Sequence, residues 1–194
     1  MTRFCLLGLL LALPLSAQDR PITIHAAKLL DGKGGSLSNA LVTIQGKRIV
    51  RVERAAPGRR ATYELGSWTL LPGLIDAHDH LAWHFNPAGR LHTGNDGETP
   101  AQATLAIVAN ARATLMAGFT TTQELGNAED KDLRDAIALG RIAGPRMLTS
   151  LDPITDARLS PDSLRQRVRE RKAAGADVIK LFASRSIRDG GAQT

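Results

Sequence analysis

The sequence predicts an α/β fold in which a small β-sheet module precedes a series of parallel strand–helix units. Three observations carry the prediction. Residues 21–65 hold short β-branched runs broken by glycine turns. From Leu71 onward, apolar strand-like runs alternate with amphipathic helical stretches. Residues 70–85, LLPGLIDAHDHLAWHF, form a run that stays apolar until it ends in histidines. Parallel sheets build their sites at that end of a strand.

The chain opens with MTRFCLLGLLLALPLSAQDR. Arg3 supplies a short positive region, Phe4 to Leu15 is apolar but too short to span a bilayer, and Ala17 suits a cleavage site. Residues 1–17 therefore read as a signal peptide, and the mature protein is expected to be periplasmic or secreted. Cleavage would remove Cys5, the only cysteine, and leave no disulfide. No other stretch is long and apolar enough to suggest membrane attachment.

Residues 18–68 read as the β-sheet module. ITIHAAKLL, ALVTI and RIVRVE are its strands, DGKGG separates the first two, and Gln45-Gly46-Lys47 turns between the second and third. His25 lies within the first strand and reads as structural.

Residues 69–194 read as four strand–helix units. LIDAHDH is the first strand. Thr99-Pro100-Ala101-Gln102 opens a helix with a capping box and an early proline. Leu105, Val108, Arg112, Leu115 and Met116 mark its mostly apolar stripe, and Gly118 stops it. FTTTQEL is the second strand. Residues 132–139 form a helix with Leu133 and Ile137 on one face. PRMLTS is the third strand, Ser160-Pro161-Asp162 starts a helix carrying Leu164 and Val168, and ADVIKLFAS is the fourth strand. Right-handed crossovers turn this order into either a small open sheet or part of a barrel. A complete eight-stranded barrel takes roughly 250 residues, so four units make half of one.

Composition narrows the function. The chain has 194 residues, 43% hydrophobic and 23% charged, as in a globular protein. Its 25 basic and 19 acidic residues leave a charge of +6. The arginines are interspersed with acids and aromatics are only 4%, so no basic stripe with stacking residues marks a nucleic-acid surface. Arg165, Arg167, Arg169, Arg171 and Lys172 spread around one helix as a solvated face.

The chemistry centres on His78 and His80. Alternation along a strand puts both on one side, where two imidazoles can share a metal ion. Asp79 points away, and Asp76 shares their parity and can support them. Lys180 stands inside VIKLF, expected to be a strand buried on both faces, where a charged ammonium is costly and its pKa should fall. A neutral amine there can take up carbon dioxide as a carbamate and become an oxygen ligand. His84, Trp83, Phe85 and His92 stand in or next to the following loop. His84 and Trp83 are candidate substrate contacts, with solvent-exposed loop histidines as the plainer reading. Ser184 and Ser186 follow the Lys180 strand and are weaker candidates. No Ser-His-Asp set or phosphate loop is legible.

LLPGLIDAHDHL resembles the first-strand metal motif of the amidohydrolase superfamily. AGFTTTQELG, GPRMLTSLDPIT and GADVIKLFAS resemble its members grouped with imidazolonepropionase and the Xaa-Pro or Xaa-Arg dipeptidases, and LLDGKGGSLSNALVTIQGKRIVRVE resembles their β-module. The resemblance implies the N-terminal half of a metal-dependent-hydrolase (β/α)8 barrel behind a β-sheet module, in a chain that looks truncated. It implies one or two divalent ions, most often zinc, with His78, His80 and Lys180, carboxylated in binuclear members, as ligands. The family's other ligands, two histidines after the fifth and sixth strands and an aspartate after the eighth that also shuttles the proton, have no counterpart in these residues, so no catalytic residue is expected in this segment. Gln123-Glu124 stands where many relatives have Arg-Asp. The expected activity is hydrolysis, through metal-activated water, of an amide or other C–N bond in a small molecule or short peptide, with a peptidase-like or cyclic amide substrate, and a homo-oligomer is possible for the full-length protein. The contrasting expectation is an inactive fragment or a binding module, with no turnover by these residues alone.

Overall fold

The computed structural model describes residues 20–93, 96–156 and 158–183. The expected leader, Ser184 and Ser186 lie outside them. The chain divides between Pro72 and Gly73 into two compact units. Among the described residues no helix is long and apolar enough to cross a membrane.

The first unit is one sheet of β1 (Ile22–Leu30), β2 (Ser36–Gln45), β3 (Arg48–Arg54), β4 (Tyr63–Glu64) and β5 (Thr69–Leu70). Its order is β3-β2-β1-β4, with β5 also paired to β1. The β1–β2 turn is held by the Asp31 carboxylate, which accepts from the backbone N–H groups of Lys33 (2.8 Å) and Gly35 (2.9 Å). Gly46, at φ 56°, closes the two-residue β2–β3 turn. Ala26 faces Ala40 across β1 and β2, and both are buried with Leu41 and Val42. His25 is structural: its ring bridges the Glu64 carboxylate and the Asn39 side-chain oxygen.

The second unit alternates β6 (Leu74–Asp79), α1 (Pro100–Met116), β7 (Phe119–Glu124), α2 (Asp130–Ala138), β8 (Arg146–Thr149) and α3 (Pro161–Ala174). The three strands are parallel in the order β6-β7-β8. Thr99 and Gln102 form the reciprocal capping box of α1. Gly118, at φ 97°, takes the left-handed position after that helix. Ser160 caps α3, which ends at left-handed Gly175. The core gathers Leu81, Ala111, Leu133 and Met147, with Ile107, Val108, Ile137 and Ile142 against it.

Two expectations change. The packed face of α1 runs through Ile107, Val108 and Ala111, so Leu105 and Met116 lie on its solvent side, 68% and 71% exposed. The strand β6 is the edge of its sheet among the described residues, and Ile75 is 69% exposed. ADVIKLFAS does not form a fourth strand among the described residues. It contributes one parallel bridge, Leu181 to Ile154, with hydrogen bonds from Ile154 N–H to the Lys180 carbonyl (2.9 Å) and from Phe182 N–H to the Ile154 carbonyl (3.0 Å). Among the described residues no strand flanks its other side. Lys180 is consequently half-buried, not sealed within a sheet.

Candidate metal centre

The site is built at the C-terminal end of β6. The strand is irregular there: Asp76 pairs with Thr122 and Asp79 with Glu124, with a shift in register between them. Asp76 accepts from the His78 N–H (2.9 Å), and Asp79 accepts from the His80 N–H (2.7 Å) and from the Thr122 hydroxyl (3.1 Å). Asp76 thus acts on the backbone, and Asp79 on the backbone and the neighbouring strand. The exit from β6 is fixed from α1, where the Asn110 side chain donates to the carbonyls of Leu81 and Trp83, each at 2.9 Å.

These restraints turn the two imidazoles toward each other. His78 Nε2 and His80 Nε2 lie 3.3 Å apart, with the rings edge-on at 66°. Two nitrogens each about 2.0–2.1 Å from one tetrahedral ion stand about 3.3 Å apart. The pair fits one metal ion.

The reverse side of His80 is closed. Trp83 stacks on its ring at 4.3 Å and 10°. His80 Nδ1 is buried and faces the Oε1 atom of Glu124 at 3.6 Å, while the other carboxylate oxygen of Glu124 accepts from the Leu81 N–H at 2.6 Å. Gly126 leaves room for the ring: a Cβ there would lie 2.7 Å from His80 Nδ1. Burial holds His80 below its ordinary range, and the neighbouring His78 and Lys180 push the same way. The ring is therefore neutral at pH 7 and its lone pair is free for a metal. Burial pushes Glu124 up to about 8, with the nearby Asp130 and Asp79 charges adding to the rise. A cation at the pair favours the ionised carboxylate, which orients the ring and raises its basicity.

Sequence reasoning missed Glu124 as the partner of His80. A carboxylate closing a threonine-rich strand that carries no other charge was the available signal. Of the residues singled out in the sequence, His78 and His80 converge, and Lys180 acts on His80 electrostatically. The Lys180 ammonium also lies 5.1 Å from the Phe182 ring centre. Trp83 packs on His80 while remaining 47% exposed. His84 and His92 are not the exposed loop histidines of the plainer reading: their side chains are 9% and 19% exposed. Both line a cavity of about 630 Å³ with Ile107, Val108 and Leu133, and neither His78 nor His80 borders it.

The profile described as "Amidohydrolase family" matches residues 69–193, more than half of the chain. The chain belongs to the amidohydrolase family. No curated protein matches it. Among solved structures it is similar to a Xaa-Pro dipeptidase with methionine bound in the active site, at 25% identity and a TM-score of 0.65, covering 84% of this chain and 47% of that one. It is similar to a prolidase in complex with N-methylphosphonate-L-proline, at 25% identity and a TM-score of 0.67, covering 85% and 47%. A putative prolidase from Bifidobacterium longum matches at 26% identity and a TM-score of 0.61, covering 88% and 42%. This amidohydrolase chain therefore spans about half the length of the structures it matches, and its second unit corresponds to the N-terminal part of their barrels.

Proposed function

We propose that the chain supplies the first part of the metal centre of a hydrolase that cleaves an amide or related C–N bond. The observation that carries this reading is the 3.3 Å approach of His78 Nε2 and His80 Nε2 at the end of β6. His78 and His80 would hold a divalent ion, most simply zinc given two imidazole donors. Such an ion, when bound, supplies Lewis acidity toward a carbonyl and lowers the pKa of water. The protein's own part is to hold the two rings: Glu124 orients His80 from behind, Trp83 covers its face, and Asp76 and Asp79 fix the backbone between the ligands.

Lys180 is the proposed third ligand of this segment. Its free amine would add to carbon dioxide, giving a carbamate and releasing a proton, and the carbamate oxygens would face the ion. The dipeptidase and prolidase named among the similar structures favour a short-peptide substrate, with Trp83, which packs on His80, as the candidate contact. The leader-like residues 1–17 support action in the periplasm or outside the cell.

Zinc binding and amide hydrolysis test the reading together. H78A and H80A are each expected to lower zinc affinity by about tenfold or more. Hydrolysis of Xaa-Pro dipeptides is expected only where the rest of the metal centre is supplied, and there should stop on chelation and return with zinc. Unchanged zinc affinity in H78A would contradict the assignment.

A further inference from the structure

The loop after β6 folds back on itself. Phe85 and Leu91 form an antiparallel bridge, and the His92 N–H donates to the His84 carbonyl at 2.8 Å. This hairpin places the two imidazoles face to face, 4.5 Å apart and within 18° of parallel. Two carboxylates meet them. His84 Nε2 is 2.8 Å from Glu98 Oε2, and His92 Nδ1 is 3.3 Å from the same oxygen and 2.9 Å from Asp96. Metal-binding atoms of His84, His92 and Glu98 all lie within 4.8 Å of one another. All four side chains are largely buried, between 8% and 19% exposed.

We propose that His84, His92 and Glu98, with Asp96 beside them, form a second divalent-cation site that uses neither His78 nor His80. The protonation pattern of His84 supports it. Its Nδ1 lies 3.2 Å from the Ala82 carbonyl, which only accepts, so Nδ1 carries the proton. In the neutral ring Nε2 is then an acceptor, and it faces a carboxylate oxygen. An acceptor pair at 2.8 Å needs a positive species between or on it. A proton on His84 Nε2 would also satisfy the pair, since the Glu98 hydrogen bond holds His84 above its ordinary range, and a cation competes with that proton for the same two atoms. One divalent ion in its place balances both carboxylates. The Nδ1–H to backbone carbonyl bond is also the support that a metal-bound histidine ordinarily has.

The donor set selects the ion. Two imidazoles and one or two carboxylates suit zinc or a neighbouring first-row divalent metal, and are poor ligands for calcium or magnesium. Asp96 is already held in place by the Asn86 side chain (3.0 Å) and the Thr93 N–H (3.2 Å), so it acts as the fixed wall of the site.

The test titrates zinc into the chain carrying both H78A and H80A, which removes the other pair. About one equivalent of zinc is expected to remain bound, with affinity falling tenfold or more when E98Q or H84A is added. Glu98→Gln keeps the shape of the side chain, and circular dichroism checks that each variant retains its fold. Histidine side-chain nitrogen spectra of the unaltered protein give a second readout: the His84 and His92 resonances should shift on zinc addition. No zinc bound by the H78A/H80A protein, or an affinity indifferent to E98Q and H84A, overturns the proposal. Unmoved His84 and His92 resonances overturn it equally and leave the four groups as a proton-linked loop clasp.

Discussion

His80 Nδ1 and Glu124 Oε1 lie 3.6 Å apart, both buried and both without a hydrogen-bond partner among the described residues. Two orphaned polar atoms facing each other in a dry site are costly unless something draws them together. A metal ion on the far nitrogen of His80 does so, because it fixes the proton on Nδ1 and aims it at the carboxylate.

Glu124→Gln tests that relationship. The Leu81 N–H would keep the amide oxygen, turning the amide NH2 toward Nδ1, donor against donor. Zinc affinity at the His78/His80 pair is expected to fall about 10–100-fold, with the circular dichroism spectrum unchanged. Isothermal titration of the variant and the parent checks it.

Gly126→Ala reaches the same ring by a different route. Its Cβ would stand 2.7 Å from His80 Nδ1, so the imidazole must move off the Glu124 axis. The expected loss of zinc affinity is about tenfold, and combining it with Glu124→Gln should add little, because both act through one ring orientation. Full additivity in a double-mutant cycle would disconnect the two residues.

Gly73 is where β6 begins beside β7. A Cβ there would lie 2.1 Å from Thr120 Oγ1 and 2.6 Å from Thr120 Cβ, which is too close for a rotamer change to relieve. Gly73→Ala should destabilise the second unit by about 1–3 kcal/mol, the usual cost of forced overpacking. Urea unfolding measures it, and an unchanged midpoint would show that the strands separate freely at that point.

In the first unit His25 and Glu64 contribute to the pH dependence of stability from opposite sides, with Asp31, held low by the Lys33 and Gly35 N–H groups, adding to the acid limb. The Asn39 hydrogen bond, followed by Glu64, holds His25 above its ordinary 6.5. Its contribution is complete below that value and is lost as pH rises through the raised one. Backbone donation from Ala61, followed by His25, holds Glu64 below its ordinary 4.5. That contribution is present above 4.5 and is lost as pH falls through the lowered value. Thermal melts should therefore peak between about pH 4.5 and 6.5, and His25→Gln should flatten the alkaline limb. An alkaline limb unchanged in His25→Gln would remove His25 from the account.

What the sequence made legible was local. The Thr99–Gln102 capping box needs only residues three apart, and the β1–β3 strands needed only their β-branched runs and glycine turns. His78 and His80 were legible because two residues on one strand share a side. What stayed hidden depends on contacts distant in sequence. Glu124 meets His80 through the β6–β7 register, 44 positions apart. Glu98 meets His84 only once the loop has closed on itself. Leu105 followed the helical period yet lies outside the packed face, since period alone does not say which edge of a stripe a neighbouring strand will cover. The Lys180 segment read as a buried strand from its composition, but a strand requires a continuous ladder and this segment has one bridge among the described residues.

The central claim is that His78 and His80 ligate one ion through Nε2 while Nδ1 of His80 stays protonated against Glu124. Nitrogen-15 spectra of the histidine side chains during a zinc titration test it most directly. The account predicts that Nε2 of both residues moves to the metal-bound range together, at one equivalence point, with a protonated Nδ1 on His80. Nε2 resonances of His78 and His80 that stay unmoved at saturating zinc would contradict it.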